Sequence, residues 1–169
     1  MISSHLREVV ARARAAIPLE LEWSMYNSVP AGLARSRSLD APVGYADFLS
    51  VADGVICGRI GVFSSKEFAE LQLFADVVED APVQLGRESW FCFGKVVDDP
   101  LFIKRADGSV WGFPDIGISW YDSDVFVQYS VDFSTFVEDC VFGSRYREVT
   151  GAPGDDQWWR LLIHIGRAG

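Results

Sequence analysis

The groups in this chain that could do chemistry are carboxylates, two histidines and three cysteines. Asp98 and Asp99 stand side by side, and a carboxylate pair can share a proton in acid–base work or hold a cation. Consecutive residues on a turn point apart, however, and Asp98-Asp99-Pro100 is also ordinary turn composition. His5 and His164 lie at opposite ends of the chain. The first reads as solvated and the second, between Ile163 and Ile165, as a packed or surface side chain. Cys57, Cys92 and Cys140 are dispersed among apolar neighbours, an odd set that forms neither a disulfide framework nor the paired spacing of a zinc site. Cys92, between Phe91 and Phe93, suits a buried strand better than a nucleophile. There is no G-x-S-x-G, H-E-x-x-H, P-loop or G-x-G-x-x-G sequence. The expectation is a protein that is not an enzyme and needs no cofactor or metal; the alternative is a small-molecule enzyme working through Asp98 and Asp99.

The stronger signal concerns recognition. Between Arg105 and Arg145 there is no lysine or arginine, where the chain average of 15 in 169 residues would place about three. The same stretch holds Asp107, Asp115, Asp122, Asp124, Asp132, Glu138 and Asp139, and it is rich in aromatic residues. A folded surface of one sign is what a protein presents to a basic partner. Asp98, Asp99, Asp107, Asp122 and Asp124 all read as residues of turns between strands, and alternate turns of an antiparallel meander project from the same end. Trp111 and Trp120 read as lying on adjacent strands, where they are either core or, if exposed, binding anchors. These seven residues form the expected partner-binding site.

The totals fit that reading. The chain of 169 residues is the size of one domain, and with 49% hydrophobic residues and 14% aromatics it has ample apolar surface for a core. A net charge of −9 argues against binding nucleic acid, which needs basic residues to displace counterions, and against docking on anionic lipid. The N-terminal residues lack the apolar core of a secretion signal, no apolar run approaches a membrane span, and unpaired cysteines suit a reducing compartment. A cytoplasmic protein is expected.

The elements that must position these residues follow from periodicity. Residues 4–16 form a helix capped by Ser4 and ended by Pro18. A strand-like piece and a loop fill 19–41, and a short helix at 43–52 closes at Asp53-Gly54. A β-rich run at 59–64 leads into a helix over 65–79, opened by the capping box Ser64 to Glu67. From residue 88 the period becomes two: strands at 89–96, 101–105 and 109–113, the last two joined by an Asp107-Gly108 hairpin, then strands at 117–121 and 125–130. Asp132 caps a helix in which Phe133, Phe136, Val137, Cys140 and Val141 share a face, and Gly143 stops it. Residues 155–166 read as a terminal helix stopped by Gly166, with a buried strand as the competing reading. Trp158 and Trp159 cannot both face inward. The whole is an α+β domain, helices packed on an antiparallel (mixed) sheet of about six strands.

GYADFLSVADG followed by GRIGVFSSKEF resembles the opening signature of the SUKH superfamily, the Smi/Knr-like immunity and cell-wall-regulator family. WFCFGKVVDDPLFIKRADGSVWGF is similar to its central strands, and SVDFSTFVEDCVFG to its late helix. The resemblance covers about residues 44–146, with the N-terminal helix and the tryptophan-rich C-terminal helix as additions. Asp40-Ala41-Pro42-Val43 departs from the Leu-Pro start usual in the family. The resemblance implies a single α+β domain and a protein-binding role. Bacterial members commonly neutralise toxin domains, often nucleases or deaminases, by direct binding, and a fungal branch coordinates cell-wall synthesis. The implied partner is a basic, cognate toxin domain; a regulatory scaffold is the alternative.

Overall fold

The computed structural model describes residues 1–34 and 38–169. Six strands, β1 (Val55–Cys57), β2 (Ile60–Val62), β3 (Trp90–Val96), β4 (Asp99–Lys104), β5 (Val110–Gly112) and β6 (Val127–Ser130), form one sheet in the order β1-β2-β3-β4-β5-β6. Every neighbouring pair is antiparallel, so the sheet is a pure meander. The helices are α1 (Ser4–Ala16), α2 (Leu21–Tyr26), α3 (Val43–Leu49), α4 (Phe133–Phe136, continuing as wider π winding through Val137–Val141), α5 (Tyr146–Thr150) and α6 (Gln157–His164). The α+β class read from the sequence is the class observed.

Helices cover one face of the sheet. Phe93 meets Phe133 and Phe136 edge-on at 5.0 and 5.6 Å between ring centroids, and Tyr45 and Phe48 of α3 close on Phe133 at 5.8 and 5.9 Å. All five aromatic side chains are buried. Tyr45 meets its polar requirement by donating its hydroxyl to the Phe63 carbonyl at 2.5 Å. Asp132 caps α4 by accepting from the Thr135 N–H at 2.7 Å, and the five apolar residues assigned to its inward face are all buried. In α6, Asp156 accepts from the N–H groups of Trp158 and Trp159. Trp158 is fully buried and donates to the Val141 carbonyl, whereas Trp159 is half-buried under Arg147. The terminal segment is therefore a helix, not a strand.

The other face carries a second aromatic layer over β3 to β5. Trp90, Phe102 and Trp111 project there from the strands; Phe126 lies against all three at 5.1 to 6.0 Å and stacks on Phe113 at 4.7 Å. Trp120 then packs on Phe113 at 5.6 Å and on Phe74 at 6.0 Å. This packing overturns the strand expected at 117–121. The residues from 113 to 126 form one long connection with a single 3-10 turn at Trp120–Asp122, because its aromatic residues fold back over the sheet instead of pairing at its edge.

Other departures also have tertiary causes. Ser3, not Ser4, caps α1, accepting from the Leu6 N–H at 3.0 Å. The strand-like piece after residue 19 is instead α2, which buries Trp23 against His164 of α6 while Arg160 bridges Glu20 and Glu22. The loop expected to follow it includes residues 35–37, which lie outside the described residues. The helix at 65–79 is reduced to a 3-10 turn at Glu70–Ala75. Its Gln72 is buried and bonds both backbone groups of Cys92, donating at 2.7 Å and accepting at 2.9 Å. The pairing of β2 with β3 ends at Gly94, so Cys92 has no partner residue in β2 and a buried side chain completes the strand. Glu67 reaches back to the Ser64 N–H at 2.9 Å as the capping box requires, but the Ser64 hydroxyl donates to that carboxylate too.

Phe133 is the ring on which α3, α4 and the sheet converge. Replacing it with alanine should cost about 3–5 kcal/mol of stability, read as a lowered urea midpoint with an unchanged slope.

Candidate functional site

At one end of the sheet lies a cleft of about 990 Å³. It is bordered by the β1–β2 turn, the β3–β4 turn, the first half of the 113–126 connection, Tyr129 of β6 and the end of α5. The meander explains the gathering, since the first, third and fifth connections leave the same end of the sheet.

Of the residues expected at a binding site, Asp98, Asp99 and Trp120 border this cleft. The turn is two residues shorter than the sequence indicates: Val96 pairs with Asp99, so Val97 and Asp98 make the whole turn and Asp99 opens β4. Asp122 and Asp124 are exposed on the same connection, outside the cleft lining. Asp107 is at the opposite end, in the β4–β5 hairpin. It accepts from the N–H and hydroxyl of Ser109 at 2.9 and 2.5 Å, and those bonds hold its carboxyl below the usual range. Gly108 supplies the positive φ of 77° that this hairpin needs. Trp111 is half-buried in the aromatic layer, its indole N–H donating to the Ser109 hydroxyl at 2.8 Å. The seven residues thus separate into a cleft group, an exposed loop pair, a hairpin lock and a packing residue.

The cleft also holds residues not assigned to it from the sequence. Asp115 belongs to the acidic stretch and was visible as such; Arg59, Val97, Ile118, Tyr121 and Tyr129 left no comparable signal. Arg59 is fixed from its backbone outward. Its N–H donates to the Tyr146 hydroxyl at 2.9 Å, and its carbonyl accepts from the Val97 N–H at 2.8 Å. The Gly58 N–H before it donates to Asn27 at 2.7 Å. Gly58 has φ of 60°, and a Cβ there would lie 2.2 Å from the Tyr146 hydroxyl, so only glycine fits.

Electrostatically the cleft is unbalanced. Glu148 is neutralised by Arg145, which donates to it at 2.7 and 3.0 Å, and this bonding lowers the glutamate and raises the arginine. Asp98, Asp99 and Asp115 form no ion pair among the described residues. Asp99 is held above the usual carboxylate range, first by partial burial and then by the charges of Asp115 and Asp98. The Tyr129 phenol is pushed up to about 12, mainly by burial and next by Asp99. The lining carries carboxylates, a guanidinium and hydroxyls, with no imidazole or thiol among the described residues. No cluster of three or more metal-ligating side chains is present among the described residues either. All three cysteines are buried, with Cys92 and Cys140 pushed up to about 12 by that burial. What the arrangement does best is to attract positive charge to an aromatic-walled opening.

No protein-family model matches the chain, and no curated protein matches it. No helix among the described residues is long and apolar enough to cross a membrane.

Because its carboxyl is raised in the fold, Asp99 destabilises the native state above that raised pKa and is neutral to stability once the pH falls below the ordinary carboxylate range. Asp99→Asn should therefore stabilise the protein at pH 7, and the gain should fade as the pH falls through the raised pKa and be gone below the ordinary carboxylate pKa of about 4. Urea midpoints of the two proteins from pH 7 down to pH values below the ordinary carboxylate range measure the difference.

Proposed function

We propose that this chain is a non-enzymatic binding domain of the SUKH type, an immunity protein that neutralises a cognate toxin of nuclease or deaminase kind by occluding it. The observation that carries the reading is the set of unpaired carboxylates, Asp98, Asp99 and Asp115, held at an opening walled by Trp120, Tyr121 and Tyr129. The order of elements supports it as well: GYADFL lies on α3, the aromatic-rich central strands are hairpin-linked, and the phenylalanines of the late helix anchor it to the sheet.

In this reading the carboxylates steer a basic surface toward the cleft, raising the association rate at low salt. Burial first and then their mutual repulsion raise Asp99, and the repulsion is relieved when a lysine or arginine arrives. Trp120, half-buried and already packed on Phe113, offers a rigid aromatic contact that sets the dissociation rate. Asp122 and Asp124 add to the long-range field from outside the cleft. Trp111 and Asp107 are left to packing and turn formation.

The test begins with capture by the tagged protein, from the cells that make it, under low-salt and then high-salt washes. Association is then measured with the purified pair. One stoichiometric basic protein is expected, whose association slows about tenfold or more and loses most of its salt dependence with the Asp98→Asn, Asp99→Asn, Asp115→Asn triple variant. An acidic partner, or a basic one that associates equally fast with the variant, would rule the reading out. Several weak partners in place of one would indicate a regulatory scaffold.

A further inference from the structure

The turn at the mouth of the cleft is built against its own backbone preference. Val97 and Asp98 link β3 to β4 as a two-residue hairpin, and Val97 has φ of 55°. The first central position of such a turn is glycine's, because a side chain at positive φ crowds the backbone; a β-branched residue there is a true outlier. The fold gains little from this valine in return. Its side chain is 53% exposed, and its one tertiary backbone bond, the N–H donated to the Arg59 carbonyl, would be made equally by glycine. Strain of this kind persists where it serves a site.

What the valine does is stand at the cleft, which Ile118 and Tyr121 also border; they are 50% and 49% exposed. Two aliphatic side chains and an aromatic ring thus share an opening with three unpaired carboxylates, a combination that matches an apolar residue flanked by cations. We propose that Val97 is a docking residue, kept in a strained turn because a partner buries its side chain, and that the occupant is an amphipathic segment of a protein bearing lysine or arginine beside its apolar contacts. This rests on the reading of the cleft as the docking site of a basic partner. The occupant follows from charge complementarity: of the charged residues lining the cleft, Asp98, Asp99 and Asp115 are unpaired, Glu148 is paired with Arg145, and Arg59 is the one cation among the described residues.

Two measurements on Val97→Gly test this. Relief of strain should raise its melting temperature by about 2–4 °C. Backbone amide shifts of the labelled protein are then followed during titration with three short peptides: alternating lysine and leucine, lysine and serine, and glutamate and leucine. The lysine–leucine peptide should shift the amides of Val97, Asp98, Ile118 and Tyr121, and its affinity should fall at least fivefold in Val97→Gly and in Ile118→Ser. Equal affinity for wild type and Val97→Gly, or a lower melting temperature for the glycine variant, would overturn the proposal. So would equal binding of the lysine–serine peptide, since charge alone would then suffice. Equal, Val97-dependent binding of the glutamate–leucine peptide would instead overturn the basic occupant and the proposed function with it.

Discussion

Both faces of the sheet over β3 to β5 are apolar, and the chain has helices for only one of them. Phe91 meets Tyr45 of α3 and Phe93 meets Phe133 and Phe136 of α4, while Trp90, Phe102 and Trp111 would be left to water. Burying an aromatic side chain contributes roughly 1.5–3 kcal/mol, so leaving such a layer open would forfeit a sizeable fraction of a marginal stability. The connection between β5 and β6 resolves this by folding Phe113, Trp120 and Phe126 back over the sheet, assisted by Phe74. The position of almost every residue at the candidate site depends on that closure.

A connection drawn down by three aromatic anchors must put its remaining residues elsewhere. Asp115, Ile116, Gly117, Ile118 and Ser119 lie between two of the anchors and are all exposed. They emerge at the end of the sheet where the β1–β2 and β3–β4 turns also emerge, because a meander alternates the direction of its turns. One wall of the cleft is thus the overhang of a loop whose base is buried, and the other is the end of α5. The anchors make the wall rigid, which lowers the ordering entropy a partner would meet on binding.

The cleft also carries costs that the rest of the fold offsets. Asp99 is charged in a place that disfavours its charge, and Val97 is strained where glycine would be relaxed. Stability is abundant at a distance: the two aromatic clusters, the Gln72 bonds to Cys92, and the network joining Asn27, Gln157 and Gly58 hold the frame. A frame with surplus burial can tolerate local repulsion and strain at one end. The same network fixes Arg59, the single cation among the described cleft residues, so the charges there are set by backbone positions more than by flexible side chains.

The sequence by itself determined what depends on near neighbours along the chain. Periods of two and 3.6 marked β3, β4, β5, α1 and α4, the Asp132 cap placed the late helix, and the run without lysine or arginine marked the acidic region, while the terminal segment was open between helix and strand until α6 packed Trp158 inside. Tertiary structure alone decided what depends on distant partners. Alternation at 117–121 resembled a strand, yet only Trp120 of those residues packs over the sheet and the others stay exposed; the residues of 65–79 looked helical, yet Gln72 is spent on bonding the backbone of Cys92 twenty residues away. Asp107 and Asp98 read alike as turn carboxylates, and only the direction of each hairpin separates a lock at one end from a cleft residue at the other. Arg59 and Val97 carried no signal at all, because an arginine after a glycine or a valine before an aspartate is ordinary. Their roles arise from φ angles and hydrogen bonds that exist only once β1, β4 and α5 have met, since burial and backbone geometry at a turn are fixed by the whole sheet.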